Sequence, residues 1–179
     1  LKGFFPYEEL KTLNQPGTNL PSHCDRLKTR GIDMTTGSLG QGTSLAAGMA
    51  LGDMLKGRKN NLFLIVGDGE ANEGQVWEAA MFCAAKKLTN LVWIIDDNKK
   101  QLDGYTADIL PGPPLTEKFK AFGFEALSVD GHDIEALHAA LTKKRCEKPM
   151  ALILDTVKGK GVKEAEQTVA NHSMAMSTE

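Results

Sequence analysis

The chain has 179 residues, of which 41% are hydrophobic and 25% charged, a composition typical of one globular domain with its own core. Its net charge of −2 argues against nucleic acid or an anionic membrane surface as a partner. No apolar run approaches the roughly 20 residues of a membrane helix. The three cysteines, Cys24, Cys83 and Cys146, are widely spaced and form no CxxC pair, which predicts reduced thiols in the cytoplasm, not disulfides or a zinc site.

Residues 1–60 contain no clear strand. A short helix is predicted at Tyr7–Leu13, and a loop punctuated by proline and glycine follows it and carries His23. A longer helix is predicted from about Leu39 to Leu55, where small residues recur at every fourth position: Gly40, Ser44, Gly48 and Gly52. Interior glycines disfavour a helix, so the row indicates a close neighbour on that face, either in the same domain or in another subunit.

The stretch from residue 62 to 88 predicts a strand, a glycine turn and a helix. Leu62–Val66 has the length and composition of a buried strand, and apolar residues recur at helical spacing over Glu73–Leu88. Asp68 lies in the turn between them, at the carboxyl end of the strand, where open α/β sheets bind ligands. A carboxylate in a turn that cradles phosphate would repel it unless a divalent cation such as Mg²⁺ lay between them.

A second buried strand is predicted at Leu91–Ile95, and it is followed by Asp96, Asp97 and Asn98. If the two predicted strands are parallel, their carboxyl ends meet at one edge of the sheet. The sequence therefore predicts that Asp68 and Asn98 converge on one metal ion.

The rest of the chain predicts a loop over 96–115, helices at Thr116–Phe122 and Ile134–Cys146, strands at Phe124–Val129 and Met150–Val157, and a polar tail. Alternation of strands and helices indicates an α/β fold, a doubly wound and mostly parallel sheet with helices on both faces. Such sheets usually have more than four strands. We therefore expect the domain at 1–179 to be incomplete at its amino terminus.

Several blocks of this sequence resemble those of transketolase, in particular its short split-subunit forms. They are TTGSLGQG (35–42), EGQVWEAAMF (73–82), DDNKKQLDG (96–104) and VDGHD (129–133). The GDG at 67–69, with Asn98 about thirty positions later, is similar to the thiamine-diphosphate motif. The resemblance covers nearly the whole chain and implies an amino-terminal thiamine-diphosphate-binding (PP) domain, with the pyrimidine-binding and carboxy-terminal domains absent.

The resemblance implies thiamine diphosphate as cofactor, held through Mg²⁺ (or Ca²⁺). The expected metal ligands are Asp68, Asn98 and the main-chain oxygen of Lys100, so the side-chain type at Lys100 need not matter. The expected cofactor-binding residues are Gly37, Ser38, Leu39, Gly69, Asn98 and His172.

Three residues take catalytic roles by the same resemblance. His23 aligns with a family histidine that faces the reacting carbons of the sugar. His172 follows KGKG (158–161) in a segment whose histidine reaches the diphosphate and the substrate. Glu73 is expected to join a carboxylate pair across a dimer and to couple two active sites.

The function implied is transfer of a two-carbon ketol unit from a ketose phosphate to an aldose phosphate, as in the pentose phosphate pathway. Sugar phosphates are the expected substrates, and the chain is expected to form a homo-oligomer or to pair with a pyrimidine-domain subunit. Turnover by the chain alone is not expected, because the domain that grips the aminopyrimidine is missing.

Two alternatives remain open. One is a subunit or remnant that binds cofactor and catalyses nothing. The other is a dinucleotide-binding dehydrogenase, because Gly67-x-Gly69 after a strand, with Asp96 ending the next, mimics the Rossmann fingerprint. Against the dehydrogenase, Gly74 comes too late for GxGxxG, and Asp68 would face the pyrophosphate without a metal.

Overall fold

A computed structural model describes residues 2–144 and 147–174. In chain order the strands are β1 (Leu62–Gly67), β2 (Leu91–Asp97), β3 (Lys100–Gln101), β4 (Gly104–Tyr105), β5 (Glu125–Asp130) and β6 (Met150–Asp155). The helices are α1 (Gln41–Leu55), α2 (Gly74–Ala85), α3 (Thr106–Ile109), α4 (Leu115–Ala121), α5 (Ile134–Thr142) and α6 (Lys163–Gln167). Short 3₁₀ helices cover Tyr7–Thr12 and Glu70–Asn72.

Four strands form one parallel sheet in the order β1-β2-β6-β5, and β3 pairs with β4 in a small antiparallel hairpin. Gly67 is level with Asp96 in the register of β1 and β2, and Asp97 is level with Asp155 in that of β2 and β6. The predicted parallel sheet is confirmed. Because the strands are parallel and level, their carboxyl ends, with the polar residues that follow them, share one edge.

Helices cover both faces of this sheet, as a doubly wound fold requires. On one face α1, α2 and α4 pack over a core in which Trp93, Phe119 and Phe124 meet edge to face, with ring centroids 5.3–5.7 Å apart. On the other face α5 buries Ala140 against β2 and β6. Crossovers between parallel strands are right-handed, so the chain's reversal of direction from β5 back to β6 brings α5 to the opposite face.

The ends of several elements differ from the prediction. Helix α1 begins at Gln41, not Leu39, because Gly40 has a φ of 83°, outside the helical region. Helix α2 ends at Ala85, and Lys87 follows with a φ of 51°. Helix α5 ends at Thr142, and Cys146 lies outside the described residues.

Helix α6 and the β3–β4 hairpin were not predicted; both lie in stretches interpreted as a tail or a loop. In the part of the chain that the structure describes, no helix has the length and apolarity to cross a membrane.

The small-residue row on α1 faces open space. A Cβ built at Gly48 or Gly52 meets no atom within 4 Å, whereas one built at Gly40 would lie 2.6 Å from the Gln75 side chain. Of the two interpretations that the pattern left open, packing of this face inside the domain is not seen among residues 2–144 and 147–174.

Candidate functional site

Asp68 lies where the loops after β1 and β2 meet. Its side chain is buried, at 5% exposure, and each carboxylate oxygen accepts a backbone hydrogen bond. The N–H of Gly69 donates to Oδ1 at 2.8 Å, and the N–H of Lys99 donates to Oδ2 at 2.6 Å. The N–H of Asp68 in turn donates to the carbonyl of Asp96 at 3.1 Å. The glycine turn and the polar stretch after β2, predicted to converge, are therefore in direct contact.

The electrostatics of this carboxylate favour a bound cation. Burial raises the pKa of Asp68 from 3.8 to about 6, against the lowering effect of the Gly69 and Lys99 N–H groups. The nearby carboxylates of Asp97 and Asp96 raise this pKa further. Among the described residues no basic side chain forms an ion pair with Asp68. A buried carboxylate with two acidic neighbours and no positive partner suits a divalent cation.

Asn98 stands beside this carboxylate with its amide orientation fixed. Its Oδ1 accepts the N–H of Lys100 at 3.0 Å, and its Nδ2 donates to Oδ2 of Asp96 at 3.1 Å. The donors proposed for the metal, one carboxylate, one amide oxygen and one main-chain oxygen, are the hard oxygens that Mg²⁺ and Ca²⁺ prefer. No three His, Cys, Asp or Glu side chains of the described chain form a metal cluster, which such a donor set does not need.

Gly69 is required by a close approach from the hairpin. A Cβ at this position would lie 2.7 Å from Cβ of Gln101, although the φ of Gly69 is an ordinary −65°. The Nε2 of Gln101 is buried and has no hydrogen-bond partner among the described residues. The hairpin therefore covers the glycine turn directly.

The loop with Gly37, Ser38 and Leu39 is held against the glycine turn by two side chains that the sequence did not single out. The Glu70 carboxylate accepts the N–H of Gly40 at 2.8 Å and the N–H of Gly67 at 3.1 Å. Gln75 Nε2 donates to the carbonyl of Leu39 at 2.6 Å. Both side chains lie within or beside the blocks that carry the resemblance, but nothing local indicates partners some thirty residues away.

His23 is brought to the same loop. A Cβ at Gly37, whose φ is 138°, would overlap the imidazole ring, so the ring packs directly on this glycine. His23 is exposed. Two residues that were given neighbouring roles are therefore in contact.

His172 and Glu73 are not joined to Asp68 by any contact among the described residues. His172 is exposed, and its Nδ1 lies 3.1 Å from Nζ of Lys158 in the KGKG loop. Glu73 is exposed at the start of α2. His132, which could look catalytic, accepts the N–H of Val157 through Nε2, and its neighbour Asp133 caps α5 as predicted.

A cavity of about 430 Å³ opens beside the glycine turn. Asp68, Asn72, Asp97 and Lys99 line one side, and the loop from Thr106 to Thr116 lines much of the rest. The site is therefore an open, charged concavity at the carboxyl edge of the sheet.

Comparison with known proteins agrees with this geometry. The family model described as "Transketolase, thiamine diphosphate binding domain" matches residues 1–179. A 6-deoxy-6-sulfo-D-fructose transketolase subunit from Clostridium sp. is 50% identical over 181 residues, covering 100% of this chain and 66% of that protein. One of the two kinds of subunit of an apulose-4-phosphate transketolase, from Actinobacillus succinogenes, is 40% identical over 161 residues, covering 89% of this chain and 58% of that protein. The chain thus spans less than two thirds of each relative.

Solved transketolase structures share the fold. That of Campylobacter jejuni superposes with a TM-score of 0.83 at 31% identity, covering 88% of this chain and 26% of that one. A Pichia stipitis transketolase in complex with sedoheptulose-7-phosphate gives 0.77 at 30% identity, covering 83% of this chain and 24% of that one.

Proposed function

Because the chain belongs to the transketolase thiamine-diphosphate-binding domain family, we propose that it carries the Mg²⁺–diphosphate half-site of a thiamine-diphosphate-dependent transketolase. The observation that carries this proposal is Asp68, a buried carboxylate held between the N–H groups of Gly69 and Lys99 at the sheet edge. It lies where a phosphate would bind, and the two can share that place only through a cation.

Asp68, Asn98 and the main-chain oxygen of Lys100 would hold Mg²⁺ or Ca²⁺. Gly37, Ser38, Leu39, Gly69, Asn98 and His172 would contact the cofactor. When bound, thiamine diphosphate supplies the carbon nucleophile that accepts the two-carbon unit. The chain's part is to anchor and orient, with Glu70 and Gln75 holding the 37–39 loop in place.

We assign His23 and His172 to the substrate side and Glu73 to a carboxylate pair across an interface between subunits. The contact of His23 with Gly37 supports the first assignment, since it brings an imidazole to the loop proposed for the cofactor. The open glycine face of α1 supports an interface, since nothing in the described chain covers it.

The substrates we propose are a ketose and an aldose with an anionic end group. The relatives' names specify 6-deoxy-6-sulfo-D-fructose and apulose-4-phosphate, so a sulfonate or a phosphate fits this class, and the pentose phosphate pathway is one setting for it. Both relatives are named as subunits, which supports a partner subunit that brings the pyrimidine-binding domain. The free thiols of Cys24 and Cys83 suit the cytoplasm.

The two alternatives make different predictions at the same turn. In a dehydrogenase the pyrophosphate of a nicotinamide cofactor would face the buried carboxylate of Asp68 with no cation required. A non-catalytic subunit would bind thiamine diphosphate with Mg²⁺ and still give no turnover when its partner is present.

Titration calorimetry of thiamine diphosphate, with Mg²⁺ or with EDTA, tests the proposed site. Binding should require the metal and be lost in Asp68→Asn, while Asp103→Asn, a change at an exposed carboxylate in the β3–β4 turn, should bind as wild type. Equal affinity in EDTA would refute the metal bridge. Binding of NADH, followed by its fluorescence, would favour the dehydrogenase.

Activity is tested with a panel of donors, xylulose 5-phosphate and 6-deoxy-6-sulfo-D-fructose among them, and ribose 5-phosphate as acceptor. We expect no transfer by the chain alone and transfer once the partner subunit is added. Robust turnover by the isolated chain, lost in Asp68→Asn, would contradict the proposed division of the active site. Cofactor binding without turnover in the complete assembly would favour the non-catalytic alternative.

A further inference from the structure

The side chain of Lys100 reaches a distant part of the chain. Lys100 is half-buried, and its Nζ donates to the main-chain oxygens of Glu166 and Thr168, each at 3.0 Å. Both carbonyls lie at the end of α6, where the last carbonyls of a helix have no partner within it. A lysine side chain at this position therefore makes contacts that the main-chain role given to Lys100 does not require.

The chain around α6 is folded on itself into one unit, residues 158–172, which we call the His172 segment. Asn171 Nδ2 donates to the carbonyls of Ala165, at 2.6 Å, and of Lys158, at 3.4 Å. Lys158 Nζ lies 3.1 Å from Nδ1 of His172. Because these contacts link both ends of the segment to α6, the position of α6 determines where the imidazole of His172 lies.

The other end of this connection is the loop proposed to bind the metal. The N–H of Lys100 donates to Oδ1 of Asn98, and the next residue, Gln101, packs on Gly69 of the glycine turn. One side chain therefore joins the loop at Asn98 to a segment 66 and 68 residues further along the chain.

We propose that Lys100 is a positioning residue, whose ammonium ties the His172 segment to the metal-binding loop and so sets the place of His172 beside the cofactor. The effect on the reaction rests on the proposed function, whereas the tie itself does not. It follows that the side-chain type at position 100 matters, contrary to what the main-chain role implies.

The test compares three variants of the complete protein in assembly with its partner. Lys100→Met keeps the length of the side chain and removes the ammonium, and Lys100→Arg restores a cation that donates hydrogen bonds. The matched control is Lys163→Met, which removes an exposed ammonium from α6 itself. Amide hydrogen exchange is followed by mass spectrometry without cofactor, and kcat and KM are measured with Mg²⁺ and thiamine diphosphate.

In Lys100→Met, exchange over 158–172 should rise about tenfold while β1 and β2 stay protected, because only the tie is lost. The affinity for Mg²⁺ should stay near wild type, since the main-chain oxygen remains, and kcat should fall about tenfold with misplacement of His172. Lys100→Arg should recover most of both changes, and Lys163→Met should show neither.

Unchanged exchange over 158–172 in Lys100→Met, or an equal rise in Lys163→Met, would overturn the tie. Global loss of protection in both Lys100→Met and Lys100→Gln would overturn it too, because the tie concerns one segment and not the core. Faster exchange with an unchanged kcat would reject the positioning role. If wild type neither binds thiamine diphosphate nor transfers ketol units, the proposed function fails, while the exchange measurement still decides the tie.

Discussion

The buried carboxylate of Asp68 should make the stability of the metal-free protein depend on pH. Its pKa is raised from 3.8 to about 6, so between these values the folded chain keeps a proton that the unfolded chain has released. The free energy of unfolding must then fall as the pH rises through this window. At about 1.4 kcal/mol per pKa unit, the loss from about pH 4 to about pH 7 amounts to about 3 kcal/mol.

The assay is urea denaturation in EDTA at a series of pH values, for wild type, Asp68→Asn and the exposed-site control Asp103→Asn. Asp68→Asn should lack the loss of about 3 kcal/mol that wild type and Asp103→Asn both show. Saturating Mg²⁺ and thiamine diphosphate should reduce the loss in wild type, because the cation stabilises the ionised carboxylate. Parallel pH curves for wild type and Asp68→Asn would refute the reasoning.

Three further outcomes are expected from other parts of the molecule. Gly48→Leu should lower the oligomer mass in light scattering and leave the circular dichroism unchanged, because its side chain enters open space on α1; an unchanged oligomer would contradict an interface there. Glu70→Ala should lower the free energy of unfolding by about 2–3 kcal/mol in urea, because two backbone N–H groups lose a charged acceptor, whereas Glu78→Ala on the exposed side of α2 should not. A thiol reagent at about pH 8 should label Cys24 but not native Cys83, whose pKa burial raises to about 11, and peptide mapping would show the reverse if this is wrong.

The sheet and its functional edge could be predicted because their signals are local. The apolar runs Leu62–Val66 and Leu91–Ile95 each indicate a buried strand, and parallel pairing then brings Asp68 and Asn98 to one edge. Local backbone conformation limits precision at the ends, as at Gly40, where a left-handed φ delays α1 by two residues. That conformation is not encoded in hydrophobic periodicity.

The supports of the site could not be predicted in this way. Glu70 reaches back 30 residues to the N–H of Gly40, and Lys100 reaches forward 66 and 68 residues to two carbonyls. Main-chain partners leave no trace in residue type, so neither contact has a sequence signature. Such contacts exist only once segments distant in sequence have come together in the fold.

The hydrogen bond from the Lys99 N–H to Asp68 also bears on how the sheet attains its register. A slip of one residue between β1 and β2 would turn Trp93 out of the core and move Lys99 away from the carboxylate. Cofactor and metal can bind only where the two strands are level. Ligand binding would therefore act as a check on strand alignment, selecting the correctly paired chains from the slipped ones by mass action.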